Sequence, residues 1–222
     1  MISKILFQIF ESIIRNISGV LGQKIRYFYY KYRLKSCGKN VRIEQGVIFE
    51  NPNNIIIGDN VFISANSILT ARPLGLIIKN RILKIKKNIK FKHPIGQIII
   101  GNEVHIGAFN IIQGYGGVEI KDRVTTSARV SIYSFSHMPT DYKRPHIITY
   151  ANAMVNSKEI ACIQSPIVLE DGVWLGLNSI VFAGNIGTNS FVSSNSIVLS
   201  DFKENSYIKG DPAIFIKNRF KY

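Results

Sequence analysis

The stretch IVLEDGVWLGLNSIVFAGNIGTNSFVSSNSIV, residues 167–198, decides the fold. Its aliphatic residues fall at every sixth position, Leu169, Leu175 and Val181, and then, after one shortened step, Ile186, Val192 and Val198. Small residues tend to follow them (Gly176, Gly187, Ser193), and a small or branched residue stands four further on (Val173, Ser179, Ser190, Ser196). A helix repeats about every 3.6 residues, and a hairpin meander needs turn signals about every 8–12. A stride of six suits a prism with short flat strands for faces. One aliphatic side chain per face points to the axis, and Gly, Asn or Asp turns each corner. Three faces make a coil, and coils stack about 4.8 Å apart by strand pairing.

The same pattern extends back along the chain through Ile57, Ile63, Leu69; Ile100, Ile106, Ile112; and Ile120, Thr126, Ile132. Val41 and Val47 keep the stride still earlier. Five triplets imply about five coils, enough for a solenoid that buries its core only by stacking. The repeat region spans residues 41–203, with excursions at 70–97 and 134–166. The first excursion carries the alternating basic-apolar run Arg81-Ile82-Leu83-Lys84-Ile85-Lys86, and the second is rich in Tyr, Pro, His and Asn. Loops leaving a rigid scaffold are where binding and chemistry concentrate. Residues 1–40 form an N-terminal segment: an amphipathic helical stripe from Ile2 to Leu21, then the aromatic-basic run Arg26 to Arg33. Residues 204–222 form a closing segment, with a turn at Asp211-Pro212 and a short C-terminal helix expected after it.

Composition narrows the function. Hydrophobic residues make up 46% of the 222, which fits a packed core and not a disordered chain. No apolar run reaches the roughly 18–20 residues of a membrane span. Glu11 and Arg15 interrupt the first apolar stretch, which also lacks a small-residue cleavage site and so reads poorly as a signal peptide. Cys37 and Cys162 form no metal or redox motif and suit a reducing cytoplasm. The formal charge of +14 is concentrated: residues 1–42 hold nine Lys/Arg against Glu11, and residues 79–92 hold seven and no acid. Such patches call for an anionic partner. No zinc finger or RNA-binding signature accompanies them, so no nucleic acid is expected.

These residues resemble the hexapeptide-repeat acyltransferases, above all in Ile167 to Gly176 with its Trp174, in Ile186 to Val198, and in Gly210-Asp211-Pro212-Ala213. The resemblance covers about residues 41–220 and implies an all-β solenoid, a left-handed parallel β-helix assembled as a homotrimer. Its nearest branch is the sugar and polysaccharide O-acetyltransferases, which implies acetyl-CoA as co-substrate, a glycan or sugar acceptor and a cytoplasmic site. In that branch a histidine opens the loop before the Trp-bearing coil, and here His137 stands there. An acceptor hydroxyl must lose its proton as it attacks the thioester, and an imidazole with an ordinary pKa near 6.5 is a suitable base. For the donor, the resemblance implies Trp174, Gly176, the backbone N–H of Leu177 facing the developing oxyanion, and Ser194 by the pantetheine arm. Lys209, Lys217 and Arg219 would meet the nucleotide phosphates. On the acceptor side Asn110, Gln113, Tyr115 and His146 remain as candidates. The chain has Gly107 and Tyr115 where simple-sugar acetyltransferases carry an Asn and an acid, so the acceptor is not expected to be a simple galactoside or maltoside. Zinc-binding members of the fold use two histidines close together on one coil. This chain has no such pair, and no metal is expected.

Two alternatives stay open on the same residues: N-acetylation of an amino sugar, and a non-catalytic β-helix that presents a binding surface. The N-terminal stripe also reads two ways. It caps the open end of the solenoid, or residues 1–35 lie on the anionic inner face of the cytoplasmic membrane.

Overall fold

The computed structural model describes residues 2–72, 81–151 and 157–220. Within them the chain winds through three parallel sheets in a fixed rotation. Face one carries Ser36–Cys37, Ile55–Ile57, Ile98–Ile100, Val118–Ile120, Ile167–Leu169 and Asn185–Ile186. Face two carries Arg42–Ile43, Phe62–Ile63, His105–Ile106, Thr125–Thr126, Trp174–Leu175 and Phe191–Val192. Face three carries Ile48–Glu50, Ile68–Thr70, Ile111–Gln113, Ser131–Tyr133, Ile180–Val181 and Ile197–Val198. The described residues thus complete six passes, against the five suggested by aliphatic triplets. The additional pass is the first, where Cys37, only half-buried, takes the axial place on face one and Ile43 and Phe49 complete the coil.

The stride-six residues form the axial columns: Ile57, Ile100, Ile120, Leu169 and Ile186 are all buried on face one, with matching columns on the other two. Corners are built to stack. Asn40, Asn60, Asn66, Asn178, Asn189 and Asn195 adopt left-handed φ near 55–60°, a region Asn tolerates because its side chain bonds locally. Along one edge each amide is capped by a carboxylate or carboxamide from the next coil. Lys39 N–H donates to Asp59 Oδ1 (2.6 Å), Asp59 to Asn102 Oδ1 (2.9 Å), Asn102 to Asp122 Oδ1 (2.7 Å), and Asp122 to Asp171 Oδ1 (3.0 Å). This ladder fixes the register between coils, which weak two-residue strands would not hold alone.

Three local expectations change. The N-terminal stripe is not one helix: α1 (Ile2–Asn16) and α2 (Gly19–Lys31) meet at a turn in which Gly19 has φ +72°. The aromatic-basic run is therefore mostly the second half of α2. Gly22 sits where a Cβ would lie 1.9 Å from the Ile17 carbonyl oxygen, so only glycine lets α2 start this close to the end of α1. The closing segment is a β-hairpin, not a short helix. Ser206–Gly210 extends face two, and Ala213–Asn218 pairs with it antiparallel. The β-favouring run Ile214-Phe215-Ile216 finds an open strand edge there, and pairing satisfies its backbone.

Both excursions leave from the edge between faces three and one: after Thr70, returning at Ile98, and after Tyr133, returning at Ile167. They are not independent. Ile82–Ile85 from the first pairs in parallel with Ala161–Gln164 from the second, and the latter pairs antiparallel with Phe135–Met138. The result is a small separate sheet on one edge of the prism. Lys79, part of the basic run, lies outside the described residues.

Candidate active site

His137 lies on the extruded strand Phe135–Met138, and the coil holds the root of that strand tightly. Gln113 Oε1 accepts the Phe135 N–H (3.1 Å), while Ser134 Oγ donates to the Gln113 carbonyl (2.7 Å) and accepts the Gly116 N–H (2.9 Å). Beneath the strand, Phe135, Ile160 and Cys162 form a small buried cluster with Leu83 and Tyr115 packed on it. The Phe135 ring meets His137 edge-on at 6.2 Å. Gly117, at φ +98°, completes the floor: a Cβ there would strike the Phe91 ring of the first excursion at 2.4 Å.

His137 faces Cys162 across the strand pair, and Arg81, from the basic excursion, comes close to both. Partial burial, reinforced by the positive charge of Arg81, holds the His137 pKa below the ordinary imidazole value. The ring is exposed, and the lowered pKa favours its neutral form, the one a general base requires. Burial raises the Cys162 thiol above its usual range, against the opposing pull of Arg81, so this cysteine is an inert packing group. Arg81 was visible in the sequence only as one cation of a run. Nothing local announces that its strand will stand two strands away from His137.

The acceptor-side candidates divide. Asn110 is withdrawn: its side chain is wholly buried, with Nδ2 donating to Thr126 Oγ1 (2.5 Å) and Oδ1 accepting the Val130 N–H (2.7 Å). It partners Thr126, the polar residue in the axial column of face two, and its burial inside the prism keeps it from a ligand. Gln113 is likewise committed to the root of the His137 strand. Tyr115 donates to Glu50 Oε2 (3.2 Å) and lies 6.3 Å from the Phe135 ring. Burial, with Glu50 nearby, raises its pKa. Tyr115 thus buttresses the His137 strand from below. His146 is exposed on a bend beyond His137, held by the Thr140–Ile148 bridge and by Asp141, which binds the Lys143 N–H and Arg144 Nε (both 2.8 Å).

The donor-side candidates gather elsewhere, on the outer row of face two and the edge between faces two and three. Trp174 registers with Phe191, Phe191 with Tyr207, and Tyr207 with Lys217, so four outward side chains stand in line. Phe191 and Tyr207 stack at 5.6 Å with planes 9° apart. Lys217 Nζ lies 5.9 Å from the Tyr207 ring centre, and the Arg219 guanidinium 5.9 Å from that of Phe191. Arg219 also donates to the Asn189 carbonyl (2.9 Å) and is partly spent on the fold. Lys209 is exposed on the same hairpin. Trp174 is 45% exposed, with its indole N–H on Ser127 Oγ (3.2 Å). On the adjoining edge Gly176 comes so near the next coil that a Cβ would lie 2.6 Å from Ser194 N. The Leu177 carbonyl accepts the Asn195 N–H (2.9 Å), and the Leu177 N–H takes no part in that coil-to-coil bond. Sequence reasoning missed Phe191 and Tyr207; their spacing of one and two coils from Trp174 was the available signal.

Within one chain the two groups do not meet. His137 departs from the end of a face-three strand, whereas Leu177 and Ser194 sit at the corners where face-three strands begin. Face three lies between them. Its outer row, Ile48, Ile68, Ile111, Ser131, Ile180 and Ile197, is half-buried and, Ser131 apart, aliphatic. Among the described residues no three His, Cys, Asp or Glu side chains cluster as a metal site would need.

The site thus sits on a hexapeptide-repeat parallel β-helix, and known proteins of that class share the chain's features. The hexapeptide repeat of succinyl-transferase matches residues 54–73 and 166–200. An Escherichia coli dTDP-4-amino-4,6-dideoxy-D-glucose acyltransferase is 28% identical over 173 residues, 69% of this chain and 78% of that protein. Rv3034c of Mycobacterium tuberculosis is 28% identical over 125 residues, 56% of this chain, which spans only 38% of its length. In fold, the chain is similar to AntD, an N-acyltransferase from Bacillus cereus, in complex with dTDP and 3-hydroxybutyryl-CoA. The TM-score is 0.66 and the identity 23%, covering 87% of this chain and 87% of that one. It is also similar to the hexapeptide-repeat acetyltransferase VCA0836 of Vibrio cholerae, complexed with acetyl coenzyme A, with a TM-score of 0.55 and 23% identity over 95% of this chain and 84% of that one. In repeat, sequence and fold, the chain is similar to the hexapeptide-repeat acyltransferases.

Proposed function

We propose that this protein is an acetyl-CoA-dependent O-acetyltransferase that modifies a hydroxyl of a sugar or surface glycan, with His137 as general base. The observation that carries the reading is the exposed His137 on a strand that Gln113, Ser134 and Tyr115 hold against the coil, with partial burial and Arg81 lowering its pKa. A base contributes about 10²–10⁴-fold only when held in place. The donor supplies an activated thioester carbonyl. His137 takes the acceptor proton as the oxygen attacks that carbonyl, and returns it to the sulfur as the C–S bond breaks, leaving an ester and free coenzyme A. The Leu177 N–H beside the close contact at Gly176 suits the developing oxyanion. The flat row Trp174, Phe191, Tyr207 suits a nucleotide base, with Lys217, Lys209 and Arg219 for its phosphates.

Since His137 and the donor row occupy different edges, a complete site needs two copies, the His137 edge of one facing the donor edge of the next. A closed ring of three satisfies every copy, and the aliphatic outer row of face three provides the apolar contact, so we read the assembly as a homotrimer. A second reading, N-acylation of a nucleotide-linked amino sugar, is favoured by the Escherichia coli relative.

Incubation with acetyl-CoA and a panel of glycans and sugar nucleotides, following thiol release and product mass, tests the proposal. Alkaline hydroxylamine cleaves an ester product and spares an amide. His137→Ala is expected to lower turnover at least about 100-fold with the assembly and its unfolding unchanged. Activity within a few-fold of wild type would remove His137 from the role.

A further inference from the structure

The α1–α2 hairpin has two faces, and capping uses only one. Inward, Ile14, Arg26, Tyr30 and Leu34 are buried, and Tyr30 and Leu34 join the core of the prism. Outward, Ile9, Phe10 and Ile13 on α1 and Val20, Leu21 and Phe28 on α2 are each half or more exposed. Val20, Lys24 and Phe28 come at intervals of four, and Leu21 and Phe28 at seven, so they share one side of α2. The two helices are locked together by the Phe10–Tyr29 ring contact (5.8 Å) and by Tyr30 Oη donating to Glu11 (2.9 Å). Covering the end of a solenoid explains the inner face. It leaves the outer one unexplained, because a cap needs a polar exterior.

Charge points to the occupant. Lys24, Lys31, Lys35, Lys39 and Arg42 are all exposed around this end, and Glu11, the one acid among residues 1–42, is engaged by Tyr30. Between α2 and the first coil a groove of about 410 Å³ opens beside Val20, lined by Lys24, Tyr27, Asn40 and Arg42. Gln23, on the same wall, is tied to Glu44 (2.7 Å). The groove therefore offers two cations and a carboxamide next to an apolar row, at a size that suits a lipid headgroup. A second copy of the same patch would set these cations against themselves. Among the described residues no helix is long and apolar enough to cross a membrane.

We propose that the outer face of the hairpin docks on an anionic lipid bilayer, its apolar rows entering the interfacial layer while Lys24 and Arg42 hold a lipid phosphate in the groove. One segment thus does both jobs, the inner face sealing the prism and the outer face holding it on the membrane. This inference is independent of the acyl-transfer chemistry.

The test is flotation of the full-length protein with vesicles of phosphatidylcholine alone and of phosphatidylcholine with phosphatidylglycerol. The expected result is binding to the anionic vesicles only, weakened by salt. Each cation near an anionic surface strengthens binding about five-fold, so Lys24→Glu/Arg42→Glu should weaken it about twenty-five-fold or more. Leu21→Asp/Phe28→Asp, both at exposed positions, should weaken it about ten-fold or more while the thermal midpoint stays put. Equal flotation with both vesicle types, or retained binding by both variants, overturns the proposal. So does a change of oligomeric state in the Leu21/Phe28 variant by light scattering, which would make the face a contact between protein chains.

Discussion

Replacing Arg26 with methionine should loosen the hairpin from the coil, and the loss can be worked from the contacts. Arg26 is wholly buried, with Nε donating to the Ile43 carbonyl (2.8 Å) and Nη1 to the carbonyls of Ile14 (3.0 Å) and Ile17 (2.5 Å). α1 ends at Asn16, so Ile14 lies in the last turn, whose carbonyls have no partner within the helix, and Ile17 lies just beyond it. A cation there also suits the negative end of the helix dipole. Hydrogen bonds from a charged donor contribute about 1.5–3 kcal/mol each, which makes the gross loss about 5–9 kcal/mol for three. Relief from burying the guanidinium, which already pushes its pKa down, returns part of this. The net loss should be about 3–5 kcal/mol, because three carbonyls at the helix end and the first coil are left without their donor, at about 1–3 kcal/mol each. Urea denaturation at fixed protein concentration reads the total, and hydrogen exchange should lose protection first in residues 2–34. Arg26→Lys, which keeps the charge but not the fork, should fall between wild type and Arg26→Met. A loss under about 1 kcal/mol for Arg26→Met, or unchanged protection in the hairpin, would refute the reasoning.

The site carries two further expected outcomes. Asn110→Ala should cost about 1–3 kcal/mol, because the buried Val130 N–H loses its acceptor, while turnover per folded molecule stays near wild type; urea denaturation and initial rates check both halves. Activity in wild type should fall as pH drops through the His137 pKa, which lies below the ordinary imidazole value, and Arg81→Gln, by removing the smaller of its two depressing causes, should move that acid limb of kcat/KM to higher pH.

Much of the fold was legible because it is written locally and repeatedly. Every sixth side chain meets the same axis, so Ile57, Ile100, Ile120, Leu169 and Ile186 announce one column without knowledge of any long-range contact. The placing of His137 and Trp174 rode on the same phase, since an excursion is seen wherever the stride stops. The closing segment misled because Asp211-Pro212 signals a turn but leaves the conformation of residues 213–218 open. The strand edge offered by Ser206–Gly210 decided in favour of pairing.

The sequence by itself determined the prism, its excursions, its two basic patches and the histidine that opens the second excursion. Only the tertiary structure decided what those parts do to one another. It joined two excursions far apart in the chain into one sheet, setting Arg81 beside His137 and Cys162. It took Asn110 out of the site by pairing it with Thr126 inside the prism. It folded the N-terminal stripe back on itself at Gly19, so that one face seals the core and the other stays open to solvent. The physical reason is the same in each case. A repeat specifies which side chains point inward, but hydrogen-bond partners and local electrostatics come from segments distant in sequence, and these are chosen only when the chain closes on itself.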